Sequence, residues 1–275
     1  MNKSKNSYNK HYLCLSALFV LGNTVIKAPF ASLNEYGFLA FLIVFGLALI
    51  LSLVAYLIPL NKITAIPLTL LAFFCASDAF ISFIKFTKYD LLYKTSAFWV
   101  VLPFVAIIVY LGFQKTTVIY KFSLVFWFVA VVVILLFALF TAKDFEIKNI
   151  YIYNLPTVSN LLTQAEPYIF TTLLPVVLLS VLAREEKIKL SSTVIGVGVG
   201  FLCLGICVLN SVLLFGVDLA STLNYPYSSA GSTVTFGNLF TRMDGLLELV
   251  YLTTSVVKCG LCIEIIKKSR NKFVP

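Results

Sequence analysis

The strongest constraint on this chain is a succession of eight apolar runs, each about as long as a bilayer is thick: Tyr12–Phe30, Phe38–Leu60, Ala65–Phe86, Ala97–Phe113, Phe122–Thr141, Pro167–Ala183, Val194–Val217 and Leu246–Ile266. A helix rises about 1.5 Å per residue, so roughly 20 apolar residues cross a hydrocarbon core of about 30 Å. Backbone amides and carbonyls in that core must be satisfied within the protein, which leaves helices for runs of this length. The expected fold class is all-α: a polytopic integral membrane protein of about eight transmembrane helices, read as a single transmembrane domain over residues 1–275. Composition agrees, since 60% of residues are hydrophobic and 12% charged, against about a quarter charged in an ordinary soluble domain. The first run lacks a small-residue cleavage site after it and further runs follow, so it is expected to stay as a span.

A formal net charge of +9 would suggest nucleic acid for a soluble chain. Here the basic residues lie in the tails and in alternate short loops, among them Lys3, Lys5, Lys10, Lys62, Lys115, Lys121, Arg184, Lys187, Lys189 and the Lys267–Lys272 cluster. That bias puts both termini in the cytoplasm and makes anionic membrane lipids, not nucleic acid, the expected charge partner. Cys14, Cys75, Cys203, Cys207, Cys259 and Cys262 all fall in apolar runs and read as small packing residues, with no disulfide, metal or other cofactor expected. The single histidine, His11, stands at the edge of the first run without a nucleophile–base pattern, so no enzymatic activity is expected.

Polar residues inside the runs carry the functional signal, because an ionised group at membrane depth costs about 2.5–3.5 kcal/mol on insertion scales and therefore faces protein or a wet cavity. The first run is interrupted by Gly22-Asn23-Thr24 and then by Lys27-Ala28-Pro29. Glycine loosens a helix and proline removes a donor, either to hold a solute on freed backbone groups or simply to pack against a neighbour. The sixth run is broken in the same way by Thr171-Thr172 and Pro175, and Asp78 lies well inside the third. Asp78 could bind an amine, relay a proton, pair with Lys258 or hydrogen-bond another helix. The last run carries Asp244, Glu248, Tyr251 and Lys258. Glu248 and Lys258 are about 15 Å apart along a straight helix and about 80° apart around it, so each needs partners elsewhere. Asp78, Glu248 and Lys258 are the expected intramembrane charge network. Arg242 and Asp244 read as an interfacial ion pair, Glu166 before Pro167 as a helix-start carboxylate, Arg184–Lys189 as a solvated turn, and Gly196-x-Gly198-x-Gly200 as a close-packing surface.

Taken in order, Gly22 through Pro29, Leu102-Pro103, Gly112, Tyr120-Lys121-Phe122-Ser123, Asn154-Leu155-Pro156, the basic turn before the seventh run, and Phe236-Gly237-Asn238-Leu239-Phe240-Thr241-Arg242-Met243-Asp244 resemble the spore-germination permease family. These are the B-type subunits of nutrient germinant receptors, within the amino acid–polyamine–organocation superfamily. The resemblance implies a LeuT-like bundle in which spans one and six, both interrupted, join spans three and eight around a small-molecule pocket. Carried onto this chain, the pocket would draw on Gly22, Asn23, Thr24, Asp78, Thr171, Thr172, Glu248 and Tyr251. It implies sensing of an amino acid, sugar or nucleoside in the spore inner membrane, together with an A-type subunit and a C-type lipoprotein. The family has ten spans and eight are counted here, so the bundle is expected to be incomplete by two helices. A cation- or proton-coupled amino-acid transporter and an inactive fragment are the other readings.

Overall fold

The computed structural model of the chain describes residues 2–25, 37–88, 96–114, 116–149, 157, 159, 169–233 and 244–273. Within them the secondary structure is helical, with no strand. Nine α-helices follow one another: α1 (Asn2–Leu21), α2 (Gly37–Tyr56), α3 (Lys62–Phe86), α4 (Ala97–Phe113), α5 (Thr116–Thr141), α6 (Leu174–Glu185), α7 (Leu190–Thr222), α8 (Pro226–Thr233) and α9 (Asp244–Arg270). A 3-10 turn, Gly22–Thr24, ends α1, and a π-turn, Ile169–Leu173, introduces α6. Each of the eight expected spans meets a helix, and α8 is a short extra element. Among the described residues α2, α3, α5, α7 and α9 are long and apolar enough to cross a bilayer. The chain is thus an all-helical polytopic membrane protein. The Lys27–Pro29, Asn154–Pro156, Glu166 and Phe236–Met243 segments, Arg242 included, lie outside the described residues.

The helix α9 forms the middle of the bundle: Val250, Tyr251 and every residue from Thr253 to Cys262 are buried. It packs on α3 most extensively and also on α5, α4 and α1. A helix buried on all sides can hold polar residues only where neighbours satisfy them, which makes its Thr254, Ser255 and Lys258 the side chains to follow. The second axis is α1, buried from Cys14 to Leu21 and packed on α7 and α5. Ile50, Phe73, Phe128 and Leu139 on α2, α3 and α5 are exposed, as lipid-facing residues of a bundle without a covering layer should be.

Close approach of α1 and α7 depends on two glycines. A β-carbon on Gly196 would lie 2.6 Å from the Leu13 carbonyl oxygen, and one on Gly200 would lie 2.8 Å from that of Ala17. Gly198 faces away, with Leu49 Cδ2 at 3.9 Å its nearest neighbour. The expected packing surface is therefore the i, i+4 pair alone. Further along, α7 breaks at Gly216, whose φ of 71° lies in the left-handed region that favours glycine. The break takes from the Leu213 carbonyl its normal helical donor. Glu146 N and Asn149 Nδ2 donate to that oxygen instead, at 3.1 and 3.0 Å.

The ends expected in the cytoplasm gather at one end of the bundle. Lys189 N donates to Asn9 Oδ1 of α1, Arg184 to the Leu57 carbonyl, and Tyr56 to the Ile188 carbonyl. Lys272 pairs with Glu185 at 2.6 Å and Lys268 with Glu186. The Arg184–Lys189 turn is accordingly more than the solvated loop its charges suggested: Glu185 and Glu186 side chains are 30% and 28% exposed, clasped by Lys268 in the last turn of α9 and Lys272 just beyond it.

Candidate functional site

The site is built where α1 stops. Gly22 has φ +34°, a left-handed value that ends the helix as a C-terminal glycine does. The Thr24 hydroxyl folds back on the Leu21 carbonyl at 2.6 Å, and the Gly22 carbonyl turns outward to accept the Thr254 hydroxyl of α9 at 2.7 Å. Gly22 also leaves room for Lys258, since a β-carbon there would stand 2.9 Å from Lys258 Cδ and 3.5 Å from its Nζ. Lys258 is 1% exposed. Its ammonium sits 5.9 Å from the centroid of the Phe19 ring, within reach of a cation–π contact. Burying an ammonium costs several kcal/mol unless compensated, and the Phe19 ring supplies part of that compensation.

Asp78 is partly buried on α3, with Ser82 Oγ at a long 3.5 Å. It lies within electrostatic range of Tyr251, and it shares with Lys258 the neighbourhood of Cys75 and Cys259. Asp78 and Lys258 thus flank one patch of the α3–α9 contact. All six cysteines are free and buried.

Glu248 lies nearly three turns from Lys258 toward the other end of α9. There it lines a cavity of about 520 Å³ together with Phe83, Phe86, Thr87, Gly245, Leu249 and Leu252. Tyr251, one turn further in, packs its ring edge-on to Phe86 at 5.0 Å and against Phe83 at 6.1 Å. The Tyr251 hydroxyl is buried and has no hydrogen-bond partner among the described residues. Among native structures such a group is uncommon and calls for a physical reason.

The two interrupted segments have different neighbours. The Gly22–Thr24 turn packs on α9 and α3, whereas the π-turn carrying Thr171 and Thr172 packs chiefly on α6 and α2. Thr172 is buried, and its Oγ1 stands 3.4 Å from that of Thr171. The side chain of Asn23 lies outside the described residues. Asp244 accepts from the Gly245 amide at 3.0 Å at the start of α9.

Sequence reasoning missed three side chains here. Thr254 and Ser255 stand four and three residues before Lys258, so helical spacing alone puts them on its face. Glu264, 8% exposed, accepts from Thr116 Oγ1 of α5 at 2.6 Å. It stands two residues before the end of the last apolar run, within one turn of the Lys267–Lys272 cluster.

A family model described as spore germination protein matches residues 64–273, which is more than half of the chain. This chain belongs to the spore germination protein family. No curated protein matches it. The matched region runs from the first turn of α3 past the end of α9 and so contains Asp78, Thr171, Thr172, Glu248, Tyr251 and Lys258, while Gly22–Thr24 lies before it. As a family member, the chain is a germination-related integral membrane protein, of permease or receptor type rather than of an enzyme family.

Proposed function

We propose that this spore germination protein is a germinant-sensing subunit: it binds a small nutrient, an amino acid, sugar or nucleoside, between α3 and α9 beside the break in α1. The observation that carries the reading is the Tyr251 hydroxyl, buried without a hydrogen-bond partner among the described residues, on a ring packed against Phe83 and Phe86, which line the cavity together with Glu248. A ligand offering a hydrogen-bond acceptor there supplies what the described residues do not, and Glu248 or Asp78 supplies a carboxylate for an ammonium or a hydroxyl. The Gly22–Thr24 turn is the movable element, because Gly22 takes a left-handed φ there and its carbonyl meets α9 through the Thr254 side chain. Binding shifts the bundle only if the ligand prefers one arrangement of that turn. The signal then passes, in the spore inner membrane, to an A-type subunit and a C-type lipoprotein.

The test is germination of spores carrying Tyr251→Phe, Glu248→Gln or Asp78→Asn, each checked for membrane level. Loss of the nutrient response at normal protein level supports the pocket, with Tyr251→Phe the sharpest variant because it deletes one oxygen. An unchanged dose response in all three overturns it. Uptake of the nutrient into proteoliposomes under an imposed proton or sodium gradient would instead make the chain a coupled transporter.

A further inference from the structure

A cavity of about 440 Å³, distinct from the one that Glu248 lines, is bounded by Phe73, Ser77 and Ile81 of α3, Ile108 of α4, and Cys259 and Ile263 of α9; its walls carry no charged residue. Phe73 and Ile81 are 66% and 50% exposed, so it opens toward the acyl chains around the bundle. Followed toward the charged end of the bundle, the seam between α4 and α9 meets a cation. Ile108 and Gly112 stand one turn apart on α4, and Ile263 and Lys267 one turn apart on α9, so each helix continues the cavity wall along one face. Gly112 joins the two rows: a β-carbon on it would lie 3.7 Å from Ile263 Cγ2, and its carbonyl accepts from the Lys267 ammonium. Lys268 and Lys272 are paired with Glu186 and Glu185. Lys267 has the neutral Gly112 carbonyl instead, and pairs with no carboxylate among the described residues.

Ile263 and Cys259 stand about 6 and 12 Å inside Lys267 along α9, within one leaflet of a hydrocarbon core about 30 Å thick. Lys267 itself is in the last turn of the helix, at the depth of the headgroups. The groove thus offers an uncharged slot at acyl depth and, one turn below it, an ammonium without a counter-charge among the described residues. We propose that the α3–α4–α9 groove binds one anionic phospholipid of the cytoplasmic leaflet, with an acyl chain in the cavity and its phosphate on Lys267. Basic pockets between helices on the cytoplasmic side hold such headgroups by charge. An apolar helix from a partner or a second copy would cover Phe73 and Ile81 but brings no anion to Lys267. The bound lipid bears on Cys259 and Ile263, so the charge of the inner leaflet acts on α9, the helix that also carries Glu248 and Tyr251.

The test needs no nutrient, so its failure leaves the ligand reading standing. The full chain in detergent is given dioleoylphosphatidylglycerol, dioleoylphosphatidylcholine or glycerol 3-phosphate, the last being the anionic headgroup chemistry without acyl chains. Native mass spectrometry is expected to show one phosphatidylglycerol retained per chain in preference to phosphatidylcholine. The unfolding midpoint should rise saturably with phosphatidylglycerol, by roughly 5–10 °C at a hundredfold excess over the dissociation constant, and should ignore glycerol 3-phosphate. Lys267→Gln should remove the preference for the anionic lipid and Lys268→Gln should keep it, while Ser77→Leu, which fills the cavity, should weaken retention of both lipids. Equal retention of the two lipids by the wild type overturns the proposal whatever the variants do. So does a Lys267→Gln chain that still prefers phosphatidylglycerol, and so does a midpoint that glycerol 3-phosphate raises as far as the lipid does. A wild-type particle of two chains that Phe73→Ala separates would make the groove a helix-docking face and overturn it as well.

Discussion

Replacing Gly196 or Gly200 by alanine adds one methyl group to the α1–α7 crossing, and the structure says what it meets. At Gly196 the new carbon would stand 2.6 Å from Leu13 O and 2.7 Å from Ser16 Cβ; at Gly200, 2.8 Å from Ala17 O and 2.9 Å from Val20 Cβ. Carbon contacts are comfortable at about 3.5–4.0 Å, and the nearest obstacle in each case is backbone, which cannot rotate aside. The helices must part by about half an ångström or more, and overpacking of this kind costs about 1–3 kcal/mol. Alanine also favours the helix by about 0.5–1 kcal/mol over glycine, which would blur a comparison with wild type alone. Gly198→Ala removes that ambiguity, because it carries the same propensity gain and its nearest neighbour is Leu49 Cδ2 at 3.9 Å. Against this control, Gly196→Ala and Gly200→Ala should each be less stable by about 2 kcal/mol, a midpoint lower by roughly 4–8 °C in detergent. The two sites share one interface, so the double variant should lose less than the sum. If all three single variants melt together, α1 and α7 do not cross at these glycines and the packing argument fails.

Gly22→Ala should be destabilising for two separate reasons, a left-handed φ of +34° and a clash 2.9 Å from Lys258 Cδ; the midpoint should fall, and Gly22→Ala paired with Lys258→Ala should recover part of the loss, since only the clash is relieved. Asn149→Leu leaves the Leu213 carbonyl with Glu146 N as its remaining described donor, and a loss of about 1 kcal/mol is expected in denaturant titration. His11, on the polar part of α1 before its apolar stretch, is held below its ordinary pKa near 6.5 by burial first and by the charge of Lys121 second. The neutral form is therefore favoured in the folded chain; the stability it contributes is complete above pH 6.5 and is lost as pH falls through that value, where the unfolded chain takes up its proton first. An NMR titration should place the His11 midpoint below 6.5, and Lys121→Gln should raise it part of the way back; a midpoint that Lys121→Gln leaves unmoved refutes the second cause.

What the sequence made legible follows the range of the interactions involved. Spans were legible because a bilayer imposes its demand on each run separately, and Gly196 with Gly200 was legible because the i, i+4 spacing is local, although only the structure shows that Gly198 is turned away. The break at Gly216 was not legible. Leu213-Leu214-Phe215-Gly216-Val217 reads as continuing helix, and what makes the break tolerable is an asparagine more than sixty residues earlier, whose amide reaches Leu213. The Glu185–Lys272 and Glu186–Lys268 clasp was hidden for the same reason: each charge was visible, but its partner depends on how α6 and α9 end at one level. Lys258 is the sharpest case. Helical geometry implied that it does not pair directly with Glu248 along a straight helix, and thereby that it needed partners on another helix or in a cavity. That this neighbourhood includes the end of α1, with Phe19 and the bare face of Gly22, follows from the rotation of α9 about its axis. The same rotation turns Tyr251, seven residues or about two turns earlier on the same face, toward α3. A single orientation thus sets both the buried cation and the buried Tyr251 hydroxyl, so a ligand that moves α9 about its axis at Tyr251 also moves Lys258 against the end of α1.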